Sequence, residues 1–448
     1  MMHNDHAAAA GAATAADRPA SRLYAWSVFA LTFGLMLSDF MSRQVISAIF
    51  PFLKSDWALS DTSLGTLVGV VALSVAVFTV PISYIADRWG RVKSITAMAA
   101  LWSLATIACG LSADYAQLML ARFFVGLGEA AYASAGGALL ANVFPARQRA
   151  TVFGAFLAAG LFGSVAGVVF GCILATHWGW RWDSIWAGLP GLLLAALYLW
   201  IVRDYQSVPL VAADAAGGAR TTRIGTVVGA VFGARSAIFT YLGSGLQVML
   251  GGIFMAWTPS YLNRYYGMAP DRSAALAGVV VLVAGVGMIL GGALSDRLSA
   301  RRRRNKALAP AVYCLLSALL AVLGFGLPPG PLALALLLGG ALFCSAHMGS
   351  AATIVTDVTH PGVRSTVMAT MILCNNFLGY APGPVIVGFL SDLFDLRVAL
   401  TIVPAVSFLA AGFYFLAARS YEQDYERRRE RDAQAGIASI ADDAKALA

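Results

Sequence analysis

Charge is scarce in this chain. Only 12% of its 448 residues are Asp, Glu, Lys or Arg, against roughly 25% in soluble domains. So few charges cannot coat the two or three soluble domains that the length alone would suggest. Cysteine is scarce as well. Cys109, Cys172, Cys314, Cys344 and Cys374 all fall inside apolar runs, without C-x-x-C spacing, which argues against a disulfide framework or a zinc site. The chain has no H-E-x-x-H, no G-x-S-x-G within an apolar run, no clustered histidines and no G-x-x-x-x-G-K-S/T loop. These absences argue against a membrane-embedded hydrolase and against ATP-driven pumping. No cofactor, no metal and no enzymatic activity are expected. No hydrophobic signal core precedes Leu23, so the N-terminal segment is expected to stay cytoplasmic and disordered.

Long apolar runs are abundant. Mean hydropathy is +0.73. Many runs approach the roughly 20 residues that cross a hydrocarbon core as a helix. Twelve spans are expected, at roughly 23–50, 62–86, 93–112, 115–142, 150–175, 184–202, 236–262, 272–295, 307–327, 331–357, 364–391 and 396–418. Lysine and arginine placement tests this count. Arg43 and Arg122 fall inside spans, and Lys54, Arg181, Arg264, Arg272 and Arg397 fall in alternate loops. The rest, including the run Arg301 to Arg304, gather on the other side. That side is expected to be cytoplasmic, with both termini on it, in the plasma (bacterial inner) membrane. The net charge of +8 is then an orientation signal with some attraction to anionic lipid, not a nucleic-acid footprint. The expected organisation is a cytoplasmic N-terminus (1–22), a six-helix bundle (23–202), a cytoplasmic linker (203–235), a second six-helix bundle (236–418) and a cytoplasmic tail (419–448). Residues 222–232 of the linker read either as a short amphipathic surface helix or as flexible chain.

The two halves repeat. Ser83, Asp87, Arg88, Gly90, Arg91 and Lys93 follow span 2, while Gly292, Asp296, Arg297 and Arg301 follow span 8. Both stretches are small-x-x-x-Asp-Arg at a basic helix end, and repeats of this kind mark transporter folds. The Asp and Arg residues are candidates for a clasp that holds the cytoplasmic side shut. The first copy resembles the signature loop of the major facilitator superfamily, G-x-x-x-D-R-x-G-R-R/K, with Ser83 at the first glycine. The resemblance covers the whole chain. It implies an all-α fold of twelve transmembrane helices in two pseudo-symmetric six-helix bundles, and a monomer that transports by alternating access.

Charges inside spans are costly and mark function or a partnered structural role. Asp39 and Arg43 are four residues apart on span 1, and Arg122 and Glu129 seven apart on span 4, with Gly126 and Gly128 between them. Spans 1 and 4 line the central cavity in the superfamily's fold. The four residues are therefore expected to form one cluster facing the pathway, its balance changed by a single proton. Glu129 is the first candidate for proton carrier and Asp39 the second, with Arg43 or Arg122 holding an anionic group. A permanent ion-pair network is the alternative.

A narrower resemblance follows. Arg122, Gly126, Gly128, Glu129, Ala130, Tyr132 and Ser134, then Asn142, Phe144 and Pro145, are similar to the Spinster pattern R-x-x-x-G-x-G-E-A-x-Y-x-S followed by D-x-F-P. Leu59 to Gly65 resembles L-S-D-T-Q-x-G before span 2, and Arg43, Gln44 and Val45 match R-Q-V. The chain departs at Ser42, where an Asp is usual, and at Asn142. Either Asp39 takes over the acid's role or Glu129 acts alone. The resemblance implies an amphipathic substrate, lysolipid-like or an organic anion, with protons and membrane lipids as further partners. A proton-independent facilitator, a drug or organic-acid transporter of another branch, and a non-transporting sensor are the alternatives. Candidate lining residues are Tyr132 and Ser134 on span 4, Gln247 and Trp257 on span 7, His347 on span 10, and Asn375, Asn376 and Tyr380 on span 11. Interhelical packing is the competing role for each. Gly379, Pro382, Gly383 and Pro384 make span 11 a candidate gate. The Gly-Pro pair of antiporter branches is absent from span 5, which instead carries a seam of small residues from Gly154 to Gly171. Trp178, Trp180 and Trp182 read as an interfacial aromatic belt.

Overall fold

A chain in lipid must satisfy its own backbone polar groups, and these sequences do so as helices. The computed structural model describes residues 22–130, 132–144, 146–202, 229, 231–359 and 364–434, and no strand occurs among them. The side chains of Asp87, Arg88, Arg91, Ser134 and Asn142 lie outside the described set, as does most of 222–232.

Span 1 is Arg22–Ala48, followed by a short helix, Phe50–Trp57. Spans 2 and 3 are Asp61–Trp89 and Arg91–Leu111. Span 4 is built from two helices, Tyr115–Glu129 and Tyr132–Val143. Spans 5 and 6 are Ala146–Trp178 and Trp180–Ile201. The second half begins with span 7, Arg235–Tyr266, span 8, Pro270–Arg301, and span 9, Asn305–Gly326. Span 10 is again two helices, Pro331–Cys344 and Met348–Asp357. Span 11 runs as Arg364–Asn375, a π-helical turn Asn376–Tyr380, and Pro382–Leu393. Span 12 comprises Leu396–Ile402, a 3-10 turn Val403–Ala405 and Val406–Gln434. Eleven of these are long and apolar enough to cross a membrane as they stand, and the two pieces of span 4 complete the twelve. Spans 4 and 10 occupy equivalent places in the two halves, and both are interrupted, after Glu129 and after Cys344. Large apolar side chains such as Phe170, Leu193, Trp200 and Leu409 are exposed on the flanks, as lipid-facing residues are.

Two turns depend on glycine. Gly90 between spans 2 and 3 has φ 105°, and Gly179 between spans 5 and 6 has φ 90°, a region that side chains with a Cβ rarely enter. The Trp-Gly-Trp connection is thus reduced to a single residue.

Within the first half, span 1 packs against spans 5 and 6, and span 3 against spans 4 and 6. The small residues of span 5 serve the first contact: a Cβ on Gly163 would strike the Leu37 carbonyl and one on Gly167 the Met41 carbonyl. Across the halves, span 2 packs on span 11, span 5 on span 8 and span 1 on span 7. A two-fold exchange of spans 1–6 with spans 7–12 maps these three contacts onto themselves, which is the pseudo-symmetry expected of the repeat. The contact of spans 2 and 11 is closest toward the end that carries Asp61. There, Cβ atoms on Gly65 and Gly388 would overlap the Pro384 and Asp61 carbonyls. This is called the far end below, and the end with Arg301 to Arg304 the basic end.

Candidate functional site

Helical spacing puts Asp39 and Arg43 one turn apart on the same face of span 1. Arg43 Nη2 reaches Glu129 Oε2 at 2.6 Å. The Glu129 side chain is 0% exposed and that of Arg43 22%, so the arginine is the member of the pair that solvent can reach. Asp39 is buried and close enough to Glu129 for the two carboxyls to interact electrostatically. Three polar atoms of this group, Asp39 Oδ1, Glu129 Oε1 and Arg43 Nε, have no partner. The Phe40 ring lies 5.3 Å from the guanidinium. From the other half, Tyr380 comes near enough for its phenol and Arg43 to interact electrostatically. Tyr380 ends the π-helical turn of span 11, the kind of irregularity that frequently marks a functional position.

Arg122 lies close enough to interact electrostatically with Glu129 and Arg43, but its donors go to the backbone. Its Nε, Nη1 and Nη2 donate to the carbonyls of Leu67, Ser42 and Arg43 at 3.1, 3.3 and 3.2 Å. Those bonds occupy all three nitrogens of a guanidinium that is 2% exposed. Arg122 therefore ties spans 1, 2 and 4 together just beneath Arg43. Gly126 and Gly128 allow this packing, since Cβ atoms there would press on the Val71 carbonyl and the Trp102 amide. Ser42 turns away from the cluster; its hydroxyl lies 3.5 Å from the Ala187 carbonyl on span 6. The acid beside Glu129 is Asp39.

Most of the other candidates lie inside one half or the other. Tyr132 is fully buried; its hydroxyl donates to the Thr32 carbonyl at 2.6 Å and its ring packs on Trp102. Gln247 Nε2 donates to Ser317 Oγ and the Cys344 carbonyl. Trp257 Nε1 donates to the Pro384 carbonyl and its ring meets Phe50. His347 Nδ1 sits 2.9 Å from the Cys344 carbonyl, at the break in span 10, and its Nε2 is unpartnered. Asn375 Oδ1 accepts from Ser244, and Asn376 Nδ2 bonds its own helix at Ile372. Ser134 lies outside the described side chains. Asp296 and Arg297 are exposed at the basic end and form no ion pair among the described residues. Asp87, Arg88 and Arg91 are outside the description, and Gly90 is the turn already noted.

A second charged cluster was not singled out from sequence. Asp61, with its side chain 3% exposed, accepts from Lys54 at 2.7 Å and from both terminal nitrogens of Arg264 on span 7, each at 2.7 Å. Ser391 of span 11 donates to the same carboxylate at 2.5 Å. One residue further, Asp392 accepts from the backbone N–H groups of Asp61 and Thr62 at 2.8 Å and from the Thr62 hydroxyl. Asp392 thus caps the start of span 2 from the opposite half of the protein. The sequence signal was the L-S-D-T motif around Asp61, but the predicted span began at residue 62.

Comparison with known proteins bears on this geometry. The profile of the Major Facilitator Superfamily matches residues 32–384. An "MFS-type efflux pump" of Mycolicibacterium smegmatis is 27% identical over 91% of this chain and 96% of its own. The "Sphingosine-1-phosphate transporter SPNS2" of Danio rerio is 26% identical over 89% of this chain and 84% of its own. The "Probable L-galactonate transporter" of Escherichia coli is 25% identical over 87% of this chain and 88% of its own. Among solved structures, a bacterial homologue of the human lysosomal transporter Spinster, described as inward-facing and unoccupied, superposes with a TM-score of 0.80 at 22% identity, over 90% of this chain and 99% of that one.

Proposed function

Because the chain belongs to the Major Facilitator Superfamily and is a multi-pass membrane transporter rather than an enzyme, we propose that it couples protons to the movement of an amphipathic or anionic small molecule through Arg43, Glu129 and Asp39. The observation that carries this reading is the part-exposed Arg43 bonded to a fully buried Glu129. With Glu129 ionised, its carboxylate occupies the guanidinium. A proton on Glu129 removes that charge and frees Arg43 for an anionic group of the substrate, which it can hold through two parallel hydrogen bonds. Loss of the proton restores the ion pair and expels the anion. Asp39, close to Glu129, offers a second place for the same proton, since like charges on neighbouring carboxyls disfavour the ionisation of both.

Alternating access supplies the movement. The positive-inside pattern supports a cytoplasmic basic end, and the Asp61 cluster closes the far end. This reading makes the present state inward-open. Arg122 fixes the Ser42 and Arg43 carbonyls to spans 2 and 4, so a change at Arg43 moves the first half as a body.

The test is flux into proteoliposomes under a pH gradient, against a panel of lysolipids and organic anions. Glu129→Gln, which imitates the protonated acid, is expected to fold normally and to lose pH-driven transport. Full pH-driven flux in that variant would eliminate Glu129 as the carrier, and Asp39→Asn run beside it separates the two acids.

A further inference from the structure

Asp183 lies in the first turn of span 6 and is 0% exposed. Both of its carboxylate oxygens lack a hydrogen-bond partner. Among the described residues no cation is paired with it. Arg181, two positions earlier, turns onto the rings of Trp180 and Trp57, at 4.4 and 5.8 Å. An unpaired carboxylate in a membrane helix is costly and calls for a partner.

Asp183 borders a 360 Å³ cleft between spans 1, 5 and 6, its carboxylate sealed just beneath the wall. Met41 and Val45 form the wall on span 1, Phe170 and Gly171 that on span 5. Gly171 packs beside the acid: a Cβ there would already stand in van der Waals contact with Oδ2, at 3.4 Å. Trp178 and Trp186, 58% and 44% exposed with ring centroids 5.9 Å apart, lie at the mouth. They place the mouth in the aromatic belt, at headgroup depth on the far end. A buried, unpaired carboxyl, two indoles and otherwise hydrocarbon are complementary to a cation carried on an alkyl chain, which would hold the acid in its ionised form. An anionic head would be repelled, and a neutral one would leave the charge unpaired.

We propose that this cleft binds an ammonium-bearing amphiphile, its cationic head against Asp183 and its chain along the apolar walls. Met41 and Val45 lie on a different face of span 1 from Asp39 and Arg43, so an occupant would press directly on the helix that carries the central cluster. The site does not depend on the transport reading. Its ligand has two sources, a bilayer lipid with an amine headgroup or a free hydrophobic amine.

The experiment compares wild type, Asp183→Asn and Gly171→Leu in phosphatidylglycerol nanodiscs doped with phosphatidylethanolamine. Retained lipid is counted by native mass spectrometry. A second arm titrates dodecyltrimethylammonium and dodecyl sulfate against the protein's thermal unfolding. Wild type is expected to prefer the ammonium ligand. Asp183→Asn should weaken that preference about tenfold or more, the range of a hydrogen-bonded charge contact. Gly171→Leu keeps the charge but fills the cleft, and should lose binding too. Retained phosphatidylethanolamine identifies a lipid source; stabilisation by the soluble cation alone identifies a free amphiphile. The proposal is overturned if wild type prefers neither phosphatidylethanolamine over phosphatidylglycerol nor the ammonium ligand over dodecyl sulfate, or if both variants keep the wild-type preference.

Discussion

Asp61→Asn tests the far-end lock most directly. The substitution keeps the shape of the side chain and removes one negative charge from between Lys54 and Arg264. Breaking a buried pair by removing one partner typically costs about 3–5 kcal/mol. Arg264 is 27% exposed and Lys54 43%, so water offsets part of the loss, most of it at Lys54. About 3 kcal/mol is therefore the working figure for Arg264 and Ser391 together, a shift of roughly a hundredfold between states. A far-end-open state present at about 1% would rise to near half of the molecules. The assay is electron–electron distance spectroscopy between spin labels at Ser55→Cys and Arg272→Cys, both exposed near the far end on opposite halves. Cys374, the one native cysteine that is not buried, is first replaced by Ser. A longer distance component is expected in Asp61→Asn. Asp392→Asn, which weakens only a helix cap, should give a smaller shift, about 1 kcal/mol. An unchanged distance distribution in a folded Asp61→Asn protein would refute the lock.

Two further outcomes are expected. Arg122→Lys replaces a planar fork of donors by donors at a single point, so at least one of the three carbonyls should keep only its helical bond, at a cost of about 1–3 kcal/mol. Its thermal midpoint in detergent should fall, and transport should fall only with the folded fraction; lost transport at unchanged stability would instead give Arg122 a direct role in the substrate path. Ser42→Asp places an unpaired carboxylate against the Ala187 carbonyl, away from Glu129, and should destabilise the protein by on the order of several kcal/mol. Rescue of pH-driven flux in an Asp39→Asn background by Ser42→Asp would contradict the assignment of Asp39 as the acid beside Glu129.

Hydropathy and charge placement made the helices legible, because lipid leaves a backbone few options and the length of a span is set by the bilayer. The paired motifs at Asp87-Arg88 and Asp296-Arg297 showed the two-fold repeat. Asp39, Arg43 and Glu129 were visible as charges within apolar runs. Boundaries were less legible. The helices of spans 2 and 6 begin at Asp61 and Trp180, while the predicted spans began at residues 62 and 184. In each case the residue just before the predicted start, Asp61 or Asp183, is a buried carboxylate. Hydropathy averages over a window and cannot tell whether the residue at its edge faces solvent or a partner.

The sequence by itself determined that this is a twelve-span helical protein with two related halves and a charged group on spans 1 and 4, since periodicity, length and charge are local properties. Only the tertiary structure decided which charges meet. It paired Arg43 with Glu129, because both project from the first half into one space. It spent Arg122 on three carbonyls, because packing at Gly126 and Gly128 brings spans 2 and 3 close against span 4. It joined Asp61 to Arg264, 203 positions away, because spans 2, 7 and 11 converge at the far end. A partner so distant along the chain leaves no local trace in the sequence, so only folding reveals the contact.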